Sequence, residues 1–183
     1  MRLTQTTAPT VEPVTLTEAK AHMRVDGDED DARLTALITA ARNHCEVYTN
    51  RQFITASWKL YCDHFENVQL IPRPPFQSVT SITYVDLDGD TQTVTATIYT
   101  TDLIDEPGRI LLADGQTWPS HRGSQEDRVI IEYKAGYGLT ASTVPQNIRT
   151  AMLFWIEGVY DGNKDATLAC ERLLEPYRVG WTW

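Results

Sequence analysis

No stretch of this sequence comes near the roughly 20 consecutive apolar residues that a bilayer-spanning helix requires. Met1 to Val14 also lack the apolar core of a secretory signal. The expectation is therefore a protein made and kept in a cytoplasm. Cysteine is scarce. Cys45, Cys62 and Cys170 lie far apart, odd in number and outside any CxxC pattern, so neither a disulfide framework nor a cysteine-rich zinc site is expected. Basic residues are outnumbered, with 16 Lys and Arg against 25 Asp and Glu and a net charge of −9. Gripping nucleic acid through its phosphates needs clustered Lys and Arg, so this chain is a poor candidate for that. An acidic surface beside DNA repels it, which suits a conduit through which DNA slides.

The familiar motifs of catalysis are missing too. There is no GxSxG elbow, P-loop, GxGxxG or HExxH, and His22, His44, His64 and His121 are scattered. Two alternating acidic runs, Asp26-Asp28-Asp30 and Asp86-Asp88-Asp90, invite comparison with a calcium loop. Such a loop needs Gly at its sixth position and an acid at its twelfth. The first run places Asp31 and Leu37 there, and the second Thr91 and Thr97. Helix capping accounts for the first run and hairpin chemistry for the second. Gly136-Tyr137-Gly138 reads as a strand exit rather than a phosphate nest. No catalytic residue, metal site or cofactor is expected.

What is present is a helical beginning, a strand-rich middle and a helical end. Residues 1–14 are Thr- and Pro-rich without periodicity and read as a flexible arm. Thr15 with Glu18 forms a capping box for a short helix carrying Leu16, Ala19 and Met23 on one face. Asp28 is placed to cap a second helix, in which Leu34, Leu37, Ile38, Ala41, Cys45 and Tyr48 keep helical spacing up to a stop at Asn50. Trp58, Leu60 and Cys62 then alternate with polar neighbours, the period of a half-buried strand. Val68 to Ile71, Val79 to Val85, Thr91 to Tyr99, Arg109 to Leu112 and Arg128 to Lys134 read as further strands. Asp86 to Asp90 form a hairpin turn. Pro145 opens a long helix with Ile148, Ala151, Met152, Trp155, Ile156 and Val159 on one face. It ends at Asp161-Gly162-Asn163, and a shorter helix covers Leu168 to Leu174.

These elements predict an α+β protein: a helical bundle of N- and C-terminal helices with an inserted small antiparallel β domain. The predicted division is a helical core over 15–53 and 139–176, a β domain over 54–138 and a tail over 177–183. Trp181 and Trp183 stand in that tail, where a chain usually frays and large apolar groups gain little. Either a partner covers them or the tail folds back on its own domain. With Tyr177, Arg178 and Val179 they are the candidate partner-binding residues, since aromatics and Arg dominate interface energetics.

Several stretches resemble the phage head–tail connector (adaptor) family. Pro13-Val14-Thr15-Leu16-Thr17-Glu18-Ala19-Lys20-Ala21-His22-Met23-Arg24-Val25-Asp26 is similar to its beginning. The Asp-rich turn into Leu34-Thr35-Ala36-Leu37-Ile38-Thr39-Ala40-Ala41-Arg42 and the run Tyr48-Thr49-Asn50-Arg51 are similar to the family's next segment. Ile71-Pro72-Arg73-Pro74-Pro75 and Val79 to Asp86 look like the branch with a β insertion, which also occurs in phage-derived gene-transfer particles. Ala135 to Gly138, Val144-Pro145 and Leu174 to Arg178 complete the resemblance. It implies a non-enzymatic structural subunit at the head–tail junction. It implies a homo-oligomeric ring, a dodecamer, bound to the portal on one side and to a stopper, head-completion or tail protein on the other. DNA would pass through the ring without sequence-specific binding, and no membrane would be involved. The alternative reading is a carbohydrate- or surface-binding β module anchored by Trp118, and a further rival is an enzyme of unrecognised type.

Overall fold

A computed structural model describes residues 1–122 and 128–180. Helices and antiparallel strands are both present, as expected, and they gather into two compact units. One contains Met1–Ala8 and Thr55–Gly136; the other contains Pro9–Ile54 and Tyr137–Gly180.

The helical unit holds α1 (Leu16–Met23), α2 (Asp31–Thr49), α3 (Gln146–Asp161) and α4 (Lys164–Leu174). The capping box of α1 forms as predicted. The Thr15 side chain accepts from the Glu18 amide, and the Glu18 carboxylate accepts from the Thr15 amide at 2.8 Å. That reciprocity satisfies two donors that a helix start otherwise leaves open, and it holds the Glu18 carboxyl below its usual range. Asp28 does not cap α2 with its side chain. Asp30 is the N-cap residue and makes no side-chain cap bond, while the Asp28 carbonyl accepts from the Asp31 amide. Asn50 ends α2 in the left-handed conformation, as its short polar side chain permits. Pro145 sits one position before α3 rather than in its first turn. Gly162 closes α3 at φ +71, and the Asn163 side chain then accepts from Asp165 and Ala166 amides, so α4 starts earlier than predicted.

Leu34, Ile38, Ala41 and Cys45 of α2 meet Ile148, Ala151, Met152 and Ile156 of α3, and Cys170 and Leu174 of α4, in one buried cluster. Leu37 and Trp155 lie at its margin, half-buried, and Val159 is exposed; Gly158 is buried one position earlier. A Cβ on Gly158 would stand 2.3 Å from Thr167 Oγ1, so only glycine lets α3 and α4 approach this closely.

The β unit holds two antiparallel sheets. Their strands are β1 (Arg2–Thr7), β2 (Ala56–Cys62), β3 (Val68–Leu70), β4 (Phe76–Val85), β5 (Thr91–Thr93), β6 (Tyr99–Asp102), β7 (Arg109–Leu112) and β8 (Val129–Ala135). The orders are β1-β2-β8-β4-β5 and β3-β7-β6. Leu60, Ile82, Ile110, Ile131 and Tyr133 form the buried core, and the Tyr133 hydroxyl donates to the Pro72 carbonyl at 3.0 Å. Two expectations are corrected here. The Thr-rich start is not an unstructured arm: residues 2–7 pair with β2 as an edge strand, which needs backbone partners but no apolar face of its own. The run from Thr91 to Tyr99 is not one strand either. It breaks at a turn in which the Ile98 amide donates to the Thr95 carbonyl.

Candidate interaction surface

Beyond Asn50 the chain turns sharply, and the turn is held by buried polar groups. Glu46, 7% exposed, accepts at Oε1 from Gln52 Nε2 at 2.7 Å and from the Phe53 amide at 2.9 Å. Its Oε2 accepts from Arg42 at 3.2 Å, and Arg42 Nε is held in turn by Glu12 at 2.7 Å. Buried polar groups are costly unless bonded, so this chain of contacts fixes the segment 51–53 in one geometry. Arg51, also 7% exposed, donates from Nε to the Tyr177 carbonyl at 2.5 Å.

The candidate partner-binding residues can be placed on that frame. After α4 a short 3₁₀ turn, Glu175–Tyr177, carries the chain back to the end of α2. Tyr177 is half-buried and packs at the margin of the helical core. The Val179 amide donates to the Thr49 carbonyl at 3.0 Å, and Val179 is itself half-buried. Arg178 is exposed, stacks over the Tyr48 ring at 5.0 Å and pairs with Glu175 at 3.3 Å. Tyr48 donates to Glu175 at 3.0 Å, and His44 stacks between Tyr48 and Trp155 at 6.4 and 5.2 Å. Tyr177, Arg178 and Val179 thus come together on the unit's own helix α2. Trp181 and Trp183 lie outside the described residues. The anchoring of 177–179 by Arg51 and Thr49 was not foreseen, because a polar run after a helix stop carries no sign of burial.

The acidic runs have structural work. Asp86 Oδ1 accepts from the amides of Asp88, Gly89 and Asp90, and Oδ2 from Gln92. The Gln92 bond first, and then the backbone amides, hold its carboxyl below the usual range. Asp30 accepts from Tyr160, and Asp31 pairs with Lys20 at 2.6 Å. Among the described residues no group of His, Cys, Asp or Glu is arranged to hold a metal ion. The three cysteines are buried thiols. The thiol of Cys45 is pushed far up by its hydrogen bond with Cys170 and by burial, which makes it inert. Trp118, the anchor of the carbohydrate alternative, stacks one ring face on Phe65 at 4.8 Å as part of the β core. Gly138 forms an isolated parallel bridge to Ile54, and a Cβ there would collide with Thr143, so the glycine serves close backbone packing.

Residues 13–90 match the family of phage gp6-like head-tail connector proteins. No curated protein matches this chain, but solved structures do, over its whole length. A chain from the virion of a native gene transfer agent (GTA) particle is 25% identical, with a TM-score of 0.80 over 100% of this chain and 98% of that one. A chain from the neck of an empty GTA particle computed with C6 symmetry is 22% identical, with a TM-score of 0.82 over the same shares. One from the neck of a native GTA particle computed with C12 symmetry is 23% identical, with a TM-score of 0.77 over the same shares. No helix among the described residues is long and apolar enough to cross a membrane.

Proposed function

We propose that this chain is a head–tail connector: a structural, non-enzymatic subunit of the head–tail junction of a phage or gene-transfer particle. The observation that carries this is the agreement, along the whole chain, with a chain of a GTA virion, joined to the connector-family match over residues 13–90. Copies form a ring, with twelve as the expected number. The ring joins the portal to a stopper, head-completion or tail protein and extends the DNA channel. The sixfold and twelvefold symmetry of the necks that hold similar folds supports a cyclic arrangement. In a cyclic ring, unlike faces of identical copies meet.

Tyr177, Arg178, Val179, Trp181 and Trp183 contact the portal. The supporting geometry is the anchoring of 177–179 on the end of α2, with Arg178 and Gly180 exposed. Anchoring lowers the ordering cost that a free tail would meet on binding. A net charge of −9 suits a wall along which DNA slides without sticking. Electron microscopy of portal rings mixed with the full chain tests the reading. An added ring stacked coaxially on the portal supports it, and bare portals at saturating chain concentration refute it.

A further inference from the structure

The small sheet β3-β7-β6 breaks the rule its neighbours keep. In the three-residue strand β3 the polar residue points inward and the apolar ones outward. Gln69 is 5% exposed, and its amide is spent on Cys62 and on the Leu70 carbonyl. Val68 and Leu70 are 48% and 40% exposed. Among the described residues the other strands that end a sheet are polar: β1 reads Arg-Leu-Thr-Gln-Thr-Thr, β5 Thr-Gln-Thr and β6 Tyr-Thr-Thr-Asp. Soluble proteins blunt their strand edges with polar or charged side chains, and β3 alone among these is apolar.

The register shows which backbone groups this edge offers. The Leu112 amide donates to the Asn67 carbonyl, and the Ile71 amide to the Gly108 carbonyl. Partners on β3 and β7 are Val68 with Leu111, Gln69 with Ile110 and Leu70 with Arg109. Alternation in an antiparallel ladder then directs the peptide groups of Val68 and Leu70 away from β7. At the other side of the sheet, the Ala113 amide donates to the Ile98 carbonyl. By the same alternation Tyr99 and Thr101 of β6 direct theirs outward. Because β7 runs antiparallel to both, β3 and β6 point the same way. Immediately after β6 come Leu103, 48% exposed, and Ile104, 91% exposed. Asp102 accepts from the Ile104 and Asp105 amides, which holds that turn in place.

We propose that in the assembled ring β6 of one copy adds to β3 of the next, so that the small sheets continue from subunit to subunit. This rests on the ring reading above. The occupant is a second copy because the two open edges lie on opposite sides of one sheet and share a direction. A head-to-tail contact between rotated copies therefore brings unlike, unpaired edges side by side. The exposed pair Leu103 and Ile104 comes directly after the incoming strand and supplies apolar cover for Leu70.

Disulfide trapping in necks assembled from the full chain tests the idea. Val68→Cys with Thr100→Cys, and Leu70→Cys with Thr100→Cys, put thiols on one face of the sheet at both edges. Within one copy β7 separates them, with Val68 opposite Leu111 and Leu111 opposite Thr100. Two strand spacings, roughly 10 Å, exceed the reach of a disulfide. Any bridge is therefore between copies. The expected result is a ladder of cross-linked oligomers extending to closed rings in at least one double variant. Neither the single variants nor the parent, whose own cysteines are buried, should give it. Rings of normal appearance without a ladder, or a ladder that stops at dimers, would overturn the inference and leave the connector reading standing. Failure of the parent chain itself to form rings would overturn both.

Discussion

Cutting the chain after Gly180 and cutting it after Pro176 should have opposite consequences. The shorter cut removes Trp181, Thr182 and Trp183 and leaves every described anchor in place. The Val179 amide still donates to the Thr49 carbonyl, and Arg51 still reaches the Tyr177 carbonyl. The expected change in stability is within about 0.5 kcal/mol, the usual range for a surface alteration, while portal attachment is lost. The longer cut also removes Tyr177, Arg178 and Val179. It deletes two backbone acceptor and donor sites and leaves the Arg51 guanidinium, now 7% exposed, without the Tyr177 carbonyl. A neutral hydrogen bond contributes about 0.5–1.5 kcal/mol and one to a charged group about 1.5–3. Together these put the loss at roughly 2–4 kcal/mol. For a chain of this size about 2–4 °C of melting temperature goes with each kcal/mol, so the longer cut should lower it by about 4–16 °C. Calorimetry on both truncations, beside a pull-down with portal, reads the two effects separately. If the shorter cut alone lowers the melting temperature by more than about 5 °C, the terminal tryptophans pack on their own subunit. Undiminished portal binding after the shorter cut would equally refute the assignment.

Other consequences concern the interior. Leu34→Ala should cost about 2–5 kcal/mol, because Leu34 is fully buried, whereas half-buried Leu37→Ala should cost clearly less; equal losses in chemical denaturation would misplace the core face of α2. Glu46→Ala strands the Gln52 amide and the Phe53 amide inside the unit and should cost about 2–4 kcal/mol; a change of a few tenths in the same assay would show that water replaces the carboxylate. The Asp102 carboxyl is depressed to about 2, first by Arg109 and then by the Ile104 and Asp105 amides. A depressed pKa stabilises the fold above the unfolded value, near 4, and that contribution is lost as pH falls toward 2. Amide exchange in 99–112 should therefore rise between pH 4 and 2 relative to the Asp102→Asn variant, which has no such pH dependence; identical profiles would contradict the cause.

Much of the helical unit was legible because its signals are local. Thr15 with Glu18, Asn50 and Gly162 each act within one turn of themselves, so the sequence that carries them also carries their effect. Asn163 shows the limit of this. It reads as the end of α3 but works as the cap of α4, and only the bonds to Asp165 and Ala166 distinguish the roles. The sheet was less legible because strand pairing is not local. Residues 2–7 have no apolar alternation, and become a strand because β2 offers an edge. Val68-Gln69-Leu70 has the alternation of a buried strand in the opposite phase, since what lies on either side of it is set by distant residues. The Glu46 and Arg51 contacts were invisible for the same reason. Arg51 is part of the Tyr48-Thr49-Asn50-Arg51 resemblance, but nothing in the sequence says that its guanidinium meets Tyr177.

The central claim is the proposal that this chain joins head to tail in a particle. Electron microscopy of particles produced without it tests that most directly. The account predicts heads that package DNA but leak it, or that remain without tails, and restoration of joined particles when the full chain is supplied. Finished, tailed and infectious or transfer-competent particles in its absence would contradict the account.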